Sequence, residues 1–191
     1  NLCKLCAFGR EADHPKAYTM SLDEVEAKAL ASRGERISEI HIVGGLNPEL
    51  KLDYYLEMLR RVRRALPGVV IQSFTAVEVD SLARVHEMPV EDVLAALKEA
   101  GLDSLPGGGA EVFSPRVREL ICPKKISGRR WLEVHEAAHR LGMRTNATML
   151  YGHVETVEER VDHLLALREL QDRTGGLLTF IPLAFHPKNT G

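Results

Sequence analysis

The chain has 191 residues, 45% of them hydrophobic and 27% charged, and a formal net charge of −2. That length and balance predict one globular domain with a substantial core. Near-neutral charge gives no electrostatic case for nucleic acid or an anionic membrane, no apolar run reaches the roughly 18 residues that span a bilayer, and three cysteines are too few for a disulfide framework, so a reducing, cytoplasmic setting is expected.

Two of the three cysteines open the chain as Cys3-Lys4-Leu5-Cys6. Such a pair can be half a zinc site, a redox dithiol or part of an iron–sulfur ligand set. No second Cys-x-x-Cys or spaced Cys/His pair follows to complete a zinc site. The pair runs into Asp13-His14-Pro15-Lys16, which reads as loop, whereas a redox dithiol follows a strand and opens a helix. Spacing therefore favours iron–sulfur ligation.

Ser21-Leu22-Asp23-Glu24 is a capping-box pattern that starts a helix, and Gly34 stops it. Residues 39–43 read as a short strand ending in Gly44-Gly45, residues 52–66 as a second helix broken by Pro67-Gly68, and residues 69–74 as the next strand. Val90, Val93, Leu94 and Leu97 mark a helix closed by Gly101; residues 102–106 are a weak strand leading into Gly107-Gly108-Gly109. A short helix runs from Ser114-Pro115 to Cys122-Pro123, and Trp131, Val134, Ala138 and Leu141 mark another, stopped by Gly142. Residues 145–150 are a strand. Thr156-Val157-Glu158-Glu159 is a second capping box opening a long helix to Gly175-Gly176, and residues 178–182 form the last strand. Alternating strands and helices with short connections predict βαβ units and a parallel sheet, which a barrel and a doubly wound sheet satisfy equally. The order opens on a helix, so a further strand is expected before Asn1 and the chain is expected to be a fragment.

Either fold places its site beyond the C-terminal ends of the strands. Gly44 and Gly45 there can let backbone approach a ligand, or simply form a tight turn. Gly107-Gly108-Gly109 lacks the Lys-Ser/Thr of a phosphate-binding loop, which leaves a flexible turn or close approach to a nucleoside; the second is favoured. His153 and Glu155 follow a strand and are candidates for acid–base work, with Glu155 equally suited to cap the next helix. Glu78 and His186 also lie past strand ends, as candidates for substrate contact. Cys122 reads as a small core hydrophobe. His14, His41, His86, His135, His139 and His163 read as surface or packing residues, and His135-Glu136 with His139 lacks the His-Glu-x-x-His order of a zinc protease.

The Cys3–Phe8 stretch resembles the end of the Cys-x-x-x-Cys-x-x-Cys motif of radical S-adenosylmethionine (SAM) enzymes. There, three thiolates hold three irons of a 4Fe-4S cluster and the fourth iron takes the amino and carboxylate groups of SAM. The resemblance implies Cys3 and Cys6 as the second and third ligands, with the first expected two residues before Asn1. Leu5 occupies a place where the motif is usually aromatic, and is counted with the cofactor-binding positions. Gly44 and Gly45 stand where the family's glycine pair contacts the methionine amino group, and Glu111 is implied as an acceptor for ribose hydroxyls. The implied fold is a partial (β/α)6 TIM-like barrel, with residues 1–191 as one core domain truncated at both ends.

Most of the chain is similar to one subgroup, the aminofutalosine synthases of the futalosine route to menaquinone. The stretches that carry this are Cys-Ala-Phe-Gly-Arg-Glu (6–11), His-Ile-Val-Gly-Gly-Leu-Asn-Pro (41–48), Ser-Leu-Pro-Gly-Gly-Gly-Ala-Glu (104–111), Ile-Cys-Pro-Lys-Lys-Ile-Ser (121–127), Asn-Ala-Thr-Met-Leu-Tyr-Gly-His-Val-Glu-Thr (146–156) and Phe-Ile-Pro-Leu-Ala-Phe-His-Pro (180–187). The implied chemistry is addition of the 5′-deoxyadenosyl radical to 3-[(1-carboxyvinyl)oxy]benzoate. His153, Glu78 and His186 are the catalytic candidates, and Arg144 a candidate partner for a substrate carboxylate. The implied cofactors are a 4Fe-4S cluster and SAM, the latter also consumed, with an electron donor such as flavodoxin or ferredoxin. The cyclic dehypoxanthine futalosine synthase of the same route, a non-catalytic SAM-binding relative and a metal-independent α/β barrel enzyme are the alternatives.

Overall fold

The computed structural model describes Cys3, Cys6, Gly9 and residues 13–188. Its elements follow in chain order. They are α1 (Leu22–Ala31), β1 (Glu39–Ile42), α2 (Leu52–Ala65), β2 (Val70–Ser73), α3 (Ala76–Val85), α4 (Val90–Glu99), β3 (Ser104–Leu105), α5 (Pro115–Ile121), α6 (Gly128–Arg140), β4 (Arg144–Tyr151), α7 (Val157–Thr174) and β5 (Leu177–Ala184). The capping boxes read at Ser21 and Thr156 are both formed, with each hydroxyl accepting from the N3 amide and each N3 glutamate reaching back to the cap.

The five strands are all parallel and lie side by side in sequence order, β1-β2-β3-β4-β5. A doubly wound sheet reverses direction from its first strand, so sequential order decides for barrel winding. α3 is absent from the sequence reading. Thr75 and Glu78 form a third capping box, Glu78 Oε2 accepting from the Thr75 amide at 2.8 Å, and the helix follows β2 after two residues. The crossover from β2 to β3 therefore holds two helices.

Strand register separates the two faces of the sheet. Ile71, Leu105 and Ala147 point one way and join Leu59, Val62, Leu94, Leu97 and Trp131 in the main core beneath the helices. Gln72, Ser104 and Asn146 point the other way and form a buried polar layer. Gln72 Nε2 donates to Ser104 Oγ at 3.1 Å, and Asn146 Nδ2 donates to Gln72 Oε1 at 3.2 Å. Buried amides of this kind stay only where paired; the first bond pins the neighbouring strands β2 and β3, and the second reaches past β3 to tie β4 to β2.

Several histidines are fasteners, as read. His86, just past α3, accepts from the Leu52 amide at 3.0 Å and so holds the start of α2, whose N-cap Lys51 makes no side-chain cap. His135 and His139 both meet Thr145 Oγ1 at 2.8 Å, and Trp131 stacks on His135. His163 accepts from the Phe113 amide at 3.3 Å and donates to the Thr148 carbonyl at 3.0 Å, tying α7 to β4. β5 is an edge strand among the described residues, with Leu178, Phe180, Ile181 and Leu183 exposed.

Candidate active site

The loops past the C-terminal strand ends gather most of the candidates. Arg144 is not among them. It begins β4 and sits at the opposite end of the sheet, so it does not face anything held by these loops.

At the end of β1, Gly44 and Gly45 lead into a cavity lined in part by Gly45, Leu46, Asn47, Tyr55, Phe74 and Glu78. A side chain at Gly45 would meet nothing within 4 Å, and one at Gly44 would come to 3.3 Å of Glu78 Oε1. Glu78 Oε2 is committed to the cap of α3, so its other oxygen is the one turned toward the glycine pair. Burial pushes the Glu78 carboxyl up, opposed by the bonds from Thr75. Tyr55 crosses Phe74 edge-on, and burial pushes its phenol up to about 12, which keeps it a neutral hydroxyl. Phe74 has φ +60°, a left-handed conformation that costs a bulky residue of order 1–3 kcal/mol and is most often found at ligand sites. The strain turns the chain sharply from β2 into the cap of α3.

The three-glycine turn after β3 is packed against the protein itself. A side-chain carbon at Gly107 would lie 2.6 Å from the Ala147 and Thr148 backbone; one at Gly108 would meet Thr75, and one at Gly109 would meet Val77 at 2.6 Å. These glycines let the loop cross β4 and the start of α3, which replaces the expected close approach to a nucleoside. Trp131 Nε1 donates to the Gly108 carbonyl at 3.1 Å. The buried Arg118 guanidinium donates to the carbonyls of Gly109 and Ala110, at 3.2 and 2.7 Å, and to that of Ile126. Glu111, at φ +47°, is ion-paired through Oε1 with Lys125 Nζ at 2.5 Å, in a largely buried position. Burial pulls the Lys125 ammonium down, but the Glu111 carboxylate outweighs it and the pKa rises.

Cys3 and Cys6 share one turn, closed by the Cys6 amide on the Cys3 carbonyl at 2.9 Å; both are free thiols, Cys3 buried and Cys6 exposed. Leu5 lies outside the described residues. Cys3 packs with Val112, Val117, Ile121, Cys122 and Met149. Burial pushes its thiol up, against the pull of Lys125. Cys122 is buried in the same cluster, where a small hydrophobe was expected.

His153 is almost wholly enclosed by its own turn. Its Nε2 donates to the Leu150 carbonyl at 2.9 Å and its Nδ1 accepts from the Val154 amide at 2.8 Å, so it would serve as a base only after giving up one of these. Glu155 does not cap α7. It accepts from the amides of Gly152 and His153 and from Arg160. Burial raises its carboxyl, but those donors overcome this and hold the pKa at about 2. His186, past the end of β5, is exposed. Arg118 and Lys125 were missed as site residues. Lys125 stands in the Cys-Pro-Lys-Lys run and Arg118 one helical turn before Cys122, but pairing across the fold cannot be read from either place.

A family model described as the radical SAM superfamily matches residues 1–167. The chain belongs to that superfamily. Among curated radical SAM relatives, the aminodeoxyfutalosine synthase of Thermus thermophilus is 48% identical over 97% of this chain and 50% of its own, and that of Streptomyces coelicolor 45% identical over 96% and 47%. A 5-amino-6-(D-ribitylamino)uracil–L-tyrosine 4-hydroxyphenyl transferase of Methanopyrus kandleri is 41% identical over 99% and 51%. The chain thus spans about half the length of these relatives. The crystal structure of methylornithine synthase superposes with a TM-score of 0.78 at 15% identity, over 100% of this chain and 51% of that one, which shows the partial-barrel fold.

The family implies a 4Fe-4S cluster and SAM. Two free thiols on one turn are the right donors for iron, so the residues fit the cluster in kind. Among the described residues, no three His, Cys, Asp or Glu side chains are gathered that could hold a metal, so these two thiolates need a third.

Proposed function

We propose that this chain is the catalytic barrel portion of an aminofutalosine synthase, joining the adenosyl group of SAM to 3-[(1-carboxyvinyl)oxy]benzoate in menaquinone biosynthesis. What supports the reading is identity of 48% and 45%, over 97% and 96% of this chain, to two relatives bearing that name. The cluster, when bound, supplies the one electron that releases an adenosyl radical from SAM.

The chain's own residues hold, orient and shield. Cys3 and Cys6 hold the cluster together with a third thiolate, and Leu5 is counted with the cofactor-binding positions because of its place in the motif. The Gly44–Gly45 backbone and the cavity oxygen of Glu78 take the ammonium end of SAM. Glu111 takes the ribose, steadied by Lys125 and by the Arg118 clamp on its loop. His186 stands at the mouth as a proton carrier. His153 fixes the β4 exit against Phe185, whose ring it meets edge-on. The reducing electron comes from a flavodoxin or ferredoxin.

A second reading has a specific observation behind it. The transferases act, by their name, on tyrosine and a ribitylaminouracil, and they are 40–43% identical over 98–99% of this chain. The test is the full-length protein, reconstituted with iron and sulfide without air and given SAM and reductant. Half receives the enol-ether benzoate, half tyrosine with the ribitylaminouracil. An adenosyl adduct of the benzoate, seen by mass spectrometry, supports the synthase. Product in the second vessel alone moves the chain to the transferases, and free 5′-deoxyadenosine in both leaves the class and removes the substrate.

A further inference from the structure

The surroundings of Cys3 carry more charge than holding a thiolate needs. Cys3 packs against Val112 and Cys122. Glu111 precedes the first of these, and Lys125 closes a turn on the second, its amide donating to the Cys122 carbonyl at 2.9 Å. Lys125 Nζ reaches back to Glu111 Oε1 at 2.5 Å, with only 18% and 16% of the two side chains exposed. Arg118, one turn earlier on α5, is buried beneath the same cluster and spends its donors on backbone carbonyls. Among the described residues, the charged groups gathered beside Cys3 are therefore the cations Lys125 and Arg118 and the carboxylate Glu111, a net of one positive charge in a poorly hydrated place.

We propose that Lys125 is a positioning residue that raises the reduction potential of the cluster held at Cys3 and Cys6, with Glu111 partly offsetting it. The inference rests on the cluster reading above. One added electron makes the cluster more negative, so a fixed cation nearby stabilises the reduced form more than the oxidised one, and burial strengthens the effect. Removing the Lys125 charge makes reduction harder. Removing the Glu111 charge makes it easier. Opposite signs from one ion pair are not what loosened packing would produce.

The experiment is a redox titration with dithionite of the full-length protein, loaded anaerobically with iron and sulfide, without SAM. The reduced cluster is followed by electron paramagnetic resonance and iron is counted per chain. At a fixed potential near the midpoint, Lys125→Met is expected to lower the ratio of reduced to oxidised cluster about ten-fold. Glu111→Gln is expected to raise it, and Lys125→Arg to restore it. A fully loaded Lys125→Met protein with an unmoved midpoint, or both variants shifting the same way, overturns the inference and leaves the cluster reading standing. A wild-type protein that takes up no cluster overturns both.

Discussion

The two glycine-rich turns of this chain look alike in sequence and do opposite things. Gly44 and Gly45 face open space and a carboxylate oxygen, whereas Gly107, Gly108 and Gly109 have no room for a single added carbon. The first turn is shaped for something that comes from outside. The second is shaped for the protein's own backbone, and it contributes to the site only by delivering Glu111. A glycine run after a strand therefore identifies a site only when what faces the missing side chain is known.

Substitution is the most direct way to break that distinction. Gly107→Ala drives a carbon into the β4 backbone and is expected to cost about 3 kcal/mol, measured by chemical denaturation of the full-length protein. A loss below about 0.5 kcal/mol would sink the packed reading of that turn. Acid tests the same region without mutation, because His163 props Phe113 and Thr148 beside the packed turn. Burial pulls its pKa from 6.5 down to about 4, so the unfolded chain takes the proton first. Its contribution is intact above pH 6.5 and is lost as pH falls toward 4, by about 3 kcal/mol at most. Glu155, held at about 2 against 4.5, adds a second loss lower down, as pH falls from 4.5 toward 2. His163→Gln should flatten the upper phase and leave the lower one.

The open turn should answer differently. Gly45→Ala is expected to leave stability within about 0.5 kcal/mol and to weaken SAM binding about ten-fold, read by calorimetry on the loaded protein. Loss of stability with unchanged binding would reverse the assignment of the two turns. The smallest effect belongs to Thr75→Ala, at about 1 kcal/mol, from the lost cap of α3. Because it removes one of the two donors on Glu78 Oε2 and leaves the Thr75 amide in place, it sharpens the question of how firmly that carboxylate must be held beside the cavity.

Much of the fold was legible because its signals are local. Ser21 with Glu24 and Thr156 with Glu159 announced two helices within four residues each. The same signature at Thr75 and Glu78 went unread because it follows a strand without a break, at the strained Phe74. Strand order was not legible, since a barrel and a doubly wound sheet share one local alternation and differ only in which strand lies beside which. The cysteines were visible by spacing. The Lys125–Glu111 pair and the Arg118 clamp were not, because their partners are chosen by a loop crossing that the glycines permit. His153 illustrates the converse. Its type and place suggested chemistry, and the folded turn gives both ring nitrogens structural work.

One fastening has a consequence for how a ligand is received. The His86 nitrogen on the Leu52 amide joins the end of α3 to the start of α2, and these two helices supply Glu78 and Tyr55 to the cavity. The two walls are thus strapped together before anything enters. Little ordering entropy remains to be lost on binding, so association should run close to the encounter rate for a preformed cleft, and affinity differences among ligands should show up in how slowly they leave.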